Sequence, residues 1–357
     1  MRILHTADIH IRDQKDERWE ALRKLIELAR REKVSIFVIS GDLFDRGVDA
    51  EKLRPQIRKL FSGIDFKIVL IPGNHDSESY RKGLHFGENI RIIDDPEKPL
   101  VIDDKVENVR IWGMPFQDVE REVMARRLQS LSHRFESGRT DILLYHGELL
   151  DSFYSRSDFG DEGKRKYMPV KLSFFRDLKV DYVLAGHFHT RFSVWRLEQG
   201  GYFIYPGSPV SITRRETGVR KVNIFDAGGE PQEHPLDTPC FERLEVRLDP
   251  FSGEKPDEKI RSAIDTALPH AKILLTVAGY INSDREGLTE KDLIGTIKKL
   301  GGNRLVDPEF EFRDIGRLLE NSLFRSFEDK LRQSEFDPED AGHVREVAIR
   351  AMMEAEQ

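Results

Sequence analysis

Eight short apolar runs, spread through residues 1–235, constrain this chain more than any other feature. They are "RILHTA", "VSIFVIS", "FKIVLI", "VRIWGM", "DILLYH", "VDYVLA", "YFIYP" and "RKVNIFD". The runs are nearly continuous rather than alternating, as strands buried on both faces are. Polar stretches of helical period lie between the early ones. Residues 17–32 place Trp19, Leu22, Ile26 and Ala29 on one face of a helix. The later runs crowd together with less helix between them, which predicts a second, partly antiparallel sheet. The expectation is an α/β core over 1–235, with two packed mixed β-sheets flanked by helices.

The Pro- and Gly-rich "GGEPQEHPLDTPC" (228–240) reads as a linker. Residues 240–305 then read as a small α+β domain. "FERLEVRLD" and "AKILLTVAG" are its strands, "EKIRSAIDTAL" and "TEKDLIGTIKKL" its helices. Residues 312–357 read as an acidic helical tail. Its last helix is signalled by Asp337 as cap, Pro338 in the first turn and Glu339 and Asp340 near the N-terminus. A chain of 357 residues suits two or three domains.

The charge is not evenly spread. Residues 306–357 carry 7 Lys and Arg against 14 Asp and Glu, leaving 50 of each elsewhere, so the net charge of −7 resides in the tail. Hydrophobic residues are 38% and charged residues 34%, the balance of a soluble globular protein. No apolar run approaches a bilayer span, and "MRILHTADIH" lacks the regions of a signal peptide. The single Cys240 excludes an internal disulfide. A cytoplasmic protein without membrane contact is expected.

Chemistry collects where the apolar runs end. "TADIH" carries Asp8 and His10, "SGDLFD" Asp42 and Asp45, and "PGNHD" Asn74, His75 and Asp76. "YHG" carries His146, and "AGHFH" carries His187 and His189. Ligands of open α/β sheets bind outside the carboxyl ends of strands. The pairs Asp8/His10 and His187/His189 are spaced i, i+2, so strand geometry sends both members of a pair to one side. Each residue alone reads as a turn former or a satisfied histidine, but this many at five strand ends point to metal. Oxygen and nitrogen donors without thiolate suit Mn, Fe or Zn better than calcium. A shared carboxylate can hold two ions about 3.5–4 Å apart around a phosphate. His5, His85, His133, His234, His270 and His343 fit no such pattern and read as ordinary surface or core residues.

The ordered set "DIH…GDLFD…GNHD…HG…GHFH", covering residues 8–189, resembles the calcineurin-like metallophosphoesterase superfamily. The resemblance implies that Asp8, His10, Asp42 and His189 hold one metal, that Asp42 bridges, and that Asn74, His146 and His187 complete the second. It leaves His75 off the metals as the catalytic group that protonates the leaving oxygen or stabilises charge on the phosphate. Asp76 then orients His75 or the turn, and Asp45 either supports a ligand or caps the following helix.

Three further features resemble the SbcD-type double-strand-break repair nucleases. They are the opening "MRILHTADIH", the segment "YPGSPVSI" followed by Arg214, Arg215 and "GVRKV", and the small domain with its helical tail. That resemblance implies a Mn-dependent DNA exonuclease or endonuclease that hydrolyses phosphodiesters with two-metal-activated water. It further implies a homodimer, DNA contact by the capping domain, and an SbcC-type coiled-coil ATPase bound through the C-terminal helices. Two positions depart from the pattern. Arg12 stands where the family often has Gly, and Asp45 where some members carry a His linked to exonuclease activity.

The tail's stripe of Ile315, Leu319, Leu323, Phe327 and Leu331, with Leu318 and Phe324 alongside, suits a partner contact. Val344, Val347 and Ala351 form a weaker second stripe. Arg81-Lys82, Lys164-Arg165-Lys166, Arg191 and Arg214-Arg215 are candidate phosphate contacts that would not read sequence. A metal-dependent phosphatase or cyclic-nucleotide phosphodiesterase is the alternative enzyme, and a non-catalytic scaffold is the third reading.

Overall fold

The computed structural model describes residues 1–80, 86–103, 108–135, 138–151 and 167–355. The chain divides into two compact units, Met1–Phe241 and Glu242–Gln357. The first opens with β1 (Arg2–Thr6), α1 (Glu17–Arg31), β2 (Ile36–Ser40), α2 (Gly47–Leu60), β3 (Lys67–Ile71), α3 (Ser77–Tyr80) and β4 (Ile90–Ile92). It continues through β5 (Leu100–Asp103), β6 (Asn108–Met114), α4 (Arg121–Leu131), β7 (Thr140–His146) and β8 (Tyr182–Gly186). It closes with β9 (Ser193–Arg196), β10 (Tyr202–Tyr205), β11 (Lys221–Asp226) and β12 (Glu233–Pro235).

These strands form two six-stranded sheets, ordered β12-β11-β1-β2-β3-β4 and β5-β6-β7-β8-β10-β9. Both are mixed. The central strands run parallel, and β11, β12, β5 and β9 supply antiparallel edges. Alternate residues of each strand divide between two cores. Ile3, Ile36, Val38, Val69 and Ile71 meet Ile111, Ile142, Leu144 and Leu184 between the sheets. Their neighbours Leu4, Phe37, Ile39, Ile68 and Leu70 turn outward onto Trp19, Leu22, Leu25, Leu53 and Ile57 of α1 and α2. Each such side chain, fully buried, contributes about 1.5–3 kcal/mol. Burial on both faces explains why the strands are apolar throughout, and it aligns the ends of β1, β2, β3, β7 and β8.

The second unit carries β13 (Phe241–Leu248), α5 (Pro256–Thr266), β14 (Lys272–Ile281), α6 (Ser283–Glu286), α7 (Glu290–Gly301) and β15 (Glu309–Asp314). Its three strands lie in the order β13-β14-β15. One face packs Val246, Leu275, Val277 and Phe312 against Ile260, Ile264, Leu293 and Ile297 of α5 and α7. A capping box of Thr289 and Asp292 opens α7. Three helices end the unit: α8 (Gly316–Glu320), α9 (Ser322–Arg332) and α10 (Pro338–Ala355). Asp337 accepts from the N–H groups of Glu339 and Asp340, the expected start of α10.

Two expectations are corrected. Residues 228–240 are not a free linker, because β12 pairs with β11 and Thr238 donates to the Pro209 carbonyl. The stripe from Ile315 to Leu331 is not one helix. Asn321 is extended and caps α9 through Leu323 N–H, so Leu318 and Phe324 are buried while Leu323 is 68% exposed. In α10, Ile349, Met352 and Met353 make the packed face, and Val347 of the second stripe is 69% exposed. Among the described residues no helix is long and apolar enough to cross a membrane.

Candidate metal centre

The first unit brings all seven expected ligands to one place, with His75 beside them. Past β1, Asp8 N–H donates to the Gly41 carbonyl and His10 N–H to that of Asp42, so the first two strand ends run on in register. Gly41 has φ +94°, and a Cβ there would strike the His146 imidazole. Only glycine allows β2 to turn so close to the end of β7.

Asp8 accepts from His187 N–H with both oxygens, at 3.0 and 2.9 Å. The Nε2 atoms of His10 and His189 face each other at 3.3 Å. Asp42 Oδ1 accepts from His75 N–H at 2.9 Å. Asp42 Oδ2 lies between two imidazoles, 3.2 Å from His146 Nε2 and 3.7 Å from His10 Nε2. Asn74 Oδ1 is 2.9 Å from His146 Nε2, and the His187 ring packs edge-on to that of His146 at 5.4 Å. Among the described residues, three sets have donor atoms within 4.8 Å of one another: Asp8/His10/His189, Asp8/Asp42/His146 and His10/Asp45/His75.

The electrostatics fit a cation. Asp8, Asp42 and His146 have no measurable exposure. Burial alone would lower the His146 imidazole, but Asp42 and Asp8 outweigh it and pull it up to about 9. Burial alone would raise Asp42, yet His146 and His10 hold it below the usual carboxylate range. Convergent imidazole nitrogens and carboxylate oxygens, with no thiolate among the described residues there, suit divalent metal ions. The backbone carries strain at the same residues. Among the described residues seven non-glycines have positive φ, and Asp8, His10, Asp42 and His187 are four of them. Such conformations cost about 1–3 kcal/mol each and gather at functional sites.

The supporting residues divide by role. His75 Nδ1 lies 2.9 Å from the Asp45 carbonyl, and its ring stands edge-on to that of His10 at 4.7 Å. Asp76 fixes the turn rather than the ring: its carboxylate accepts from Gly73 N–H, Phe44 N–H and the Tyr80 hydroxyl. Burial and then Asp42 push that carboxyl up to about 7. Asp45 does not cap α2, whose cap position is Arg46. Its carboxylate takes Arg12 and Arg18 and stands 3.6 Å from His10 Nδ1. Arg12 is therefore engaged by Asp45. Arg214 and Arg215 stand exposed in the loop after β10, while Arg81-Lys82, His85 and Lys164-Arg165-Lys166 lie outside the described residues. Sequence reasoning missed two residues of that loop: Glu216, 1% exposed and 3.6 Å from His189 Nδ1, and Arg220, which grips the carbonyls of His189, Thr190 and Ser208. Thr213-x-x-Glu216 has the spacing of a capping box, the one signal that could have marked it.

Residues 1–191 match the sequence profile of the calcineurin-like phosphoesterase family. The DNA double-strand break repair protein Mre11 of Saccharolobus solfataricus is 25% identical over 70% of this chain and 65% of its own. The SbcD subunit of nuclease SbcCD from Staphylococcus saprophyticus is 23% identical over 61% and 63%. The chain thus spans just under two thirds of the length of both. A solved dimetal phosphatase from Danio rerio is 12% identical, with a TM-score of 0.43 over 63% of this chain and 91% of that one. With the profile covering more than half of its residues, the chain belongs to the calcineurin-like phosphoesterase family.

Proposed function

We propose that this protein is a metal-dependent DNA nuclease that hydrolyses phosphodiester bonds at the ends of β1, β2, β3, β7 and β8. The observation that carries the reading is the convergence of the buried Asp8, His10, Asp42, His146, His187 and His189 with the half-buried Asn74. The low-identity likeness to proteins named as double-strand-break repair nucleases supports DNA as substrate. In this reading Asp8, His10, Asp42 and His189 hold one ion, and Asn74, His146 and His187, with Asp42 shared, hold the other. The position of Asp42 Oδ2 between His10 and His146 suits that sharing.

Two divalent ions, Mn in our reading, would supply Lewis-acid activation of water and charge neutralisation on the phosphate. The chain's own residues do the rest. His75, tethered at Nδ1 by the Asp45 carbonyl, presents its other nitrogen and delivers a proton to the leaving oxygen. Asp76 and Tyr80 keep the turn that carries Asn74 and His75 in place. Arg214 and Arg215, exposed on the loop that also carries Glu216, suit the phosphates of a flanking strand.

We further propose that residues 240–305 cap the DNA and that 312–357 engage the coiled coil of an SbcC-type ATPase. The exposed Leu323, Phe336 and Val347 would be its apolar contacts. A second copy of the chain completes the assembly, in the cytoplasm.

The test is Mn-dependent cleavage of linear and hairpin-ended DNA against a small nitrophenyl phosphodiester, with wild type beside His75→Ala. DNA cleavage that disappears in the variant is the expected outcome. Turnover of the small ester alone would move the assignment to a phosphatase or cyclic-nucleotide phosphodiesterase.

A further inference from the structure

We infer that Glu216 is a positioning residue that sets the ring orientation and the proton placement of His189. The inference rests on the reading of His189 as a metal ligand. Glu216 comes from the loop between β10 and β11, outside the five strand-end motifs. Its carboxylate is 1% exposed, and burying a charge costs several kcal/mol unless donors surround it. They do. Oε2 accepts from the Ser208 hydroxyl at 2.8 Å and Ile212 N–H at 2.7 Å, and Oε1 from Thr213 N–H at 3.2 Å and the Thr213 hydroxyl at 3.1 Å. Four donors tie the carboxylate down, and they leave Oε1 facing His189 Nδ1 at 3.6 Å. A closure of about half an ångström makes that a hydrogen bond.

The geometry gives His189 a grip at both ends. Its carbonyl is held by Ser208 N–H and the buried Arg220 guanidinium, and its Nδ1 is faced by Glu216. With Nδ1 carrying the proton toward Glu216, Nε2 is the free lone pair, and Nε2 is the nitrogen aimed at His10 and Asp8. His10 Nδ1 likewise faces a carboxylate, that of Asp45 at 3.6 Å, but two other imidazoles are backed differently. His146 Nδ1 and His75 Nδ1 lie against the carbonyls of Ser40 and Asp45, which fix a ring as neutral acceptors. A carboxylate at the same position makes the imidazole a stronger donor to a metal ion as well as orienting it. The same carboxylate is also the counter-charge of the buried Arg220 guanidinium, so the charge at 216 serves the loop as well as the ring.

The test is calorimetric titration of metal-free protein with Mn, combined with ¹⁵N NMR of the His189 ring without metal. In wild type, two binding steps and an Nδ1–H signal for His189 are expected. Glu216→Gln should weaken one step about 10–100-fold, leave the other within about twofold, and shift the His189 ring resonances toward mixed tautomers. Thr213→Val removes a loop hydrogen bond but keeps the carboxylate, and should leave both steps and the ring signal as in wild type. Unchanged affinity and tautomer in Glu216→Gln would overturn the inference, as would Thr213→Val reproducing its effect, because a staple would then account for both. If wild type binds no Mn, the metal-ligand reading beneath it fails instead.

Discussion

The two units of this chain treat buried polarity in opposite ways. In Met1–Phe241, Asp8, His10, Asp42, Asp76, His146, His187, His189, Glu216 and Arg220 are all buried. In Glu242–Gln357, among the described residues, Glu328 is the only buried polar or charged side chain, and it is matched by Arg345 at 2.6 Å. Arg345 in turn lies over the Phe251 ring at 4.5 Å. Buried charge is expensive, so a domain that gathers it at strand ends does so for chemistry. A domain that avoids it owes its stability to apolar packing, and what it offers the outside lies on its surface.

The largest effect that could break this contrast is at His75. Substitution by alanine should lower turnover by about 10²–10⁴-fold while the number of bound Mn ions stays at that of wild type, measured by calorimetry. A variant that kept its turnover would remove chemistry from the first unit's account. The second unit answers to stability instead. Leu275→Ala, in its apolar core, should cost about 2–5 kcal/mol in that unit's denaturant transition and leave hydrolysis of a small phosphodiester unchanged. A comparable loss of turnover would mean that the units are not separable in function.

His5 sharpens the comparison, because it is a buried polar residue of the first unit that serves no ligand set. It sits on β1 in register with Val38 and Asn223. Burial, partly offset by the Ala185 backbone, pushes its imidazole down to about 3. The unfolded chain binds a proton near 6.5 and the folded one does not, so His5 costs stability as pH falls from about 6.5 toward 3. The slope is about 1.4 kcal/mol per pH unit. His5→Leu should flatten the acid side of the stability curve by that amount, read from urea midpoints at pH 7, 6 and 5. Equal slopes in both proteins would show that this polar burial carries no cost. The smallest effect is expected on the surface of the second unit. Leu323→Glu or Val347→Glu should change phosphodiester turnover less than twofold and weaken capture of the coiled-coil ATPase at least about tenfold, measured by pull-down with purified partner.

What was legible in the sequence follows the same division. Strands buried on both faces are continuous apolar runs, so their ends were visible, and the proposed ligand residues were visible with them. Glu216 was not, because its burial depends on a loop folding back over His189 from 27 residues further along the chain, which no period records. Asp76 was expected to steady His75 or the turn, and its three hydrogen bonds go to the turn and its neighbours. The break between α8 and α9 was hidden for a local reason. The apolar stripe continued through Asn321, and only the cap geometry stops the helix there. The edge strand β12 was hidden by prolines, which an edge position tolerates and a central one does not.

The left-handed backbone at Asp8, His10, Asp42 and His187 bears on how this protein can change. Glycine at any of these positions relieves local strain while removing a proposed metal ligand. Selection for a higher melting temperature alone, in the laboratory or over generations, would therefore favour sequences that fold better and catalyse nothing. In this molecule, resistance to heat is a poor proxy for fitness, and libraries should be sorted on turnover before they are sorted on robustness.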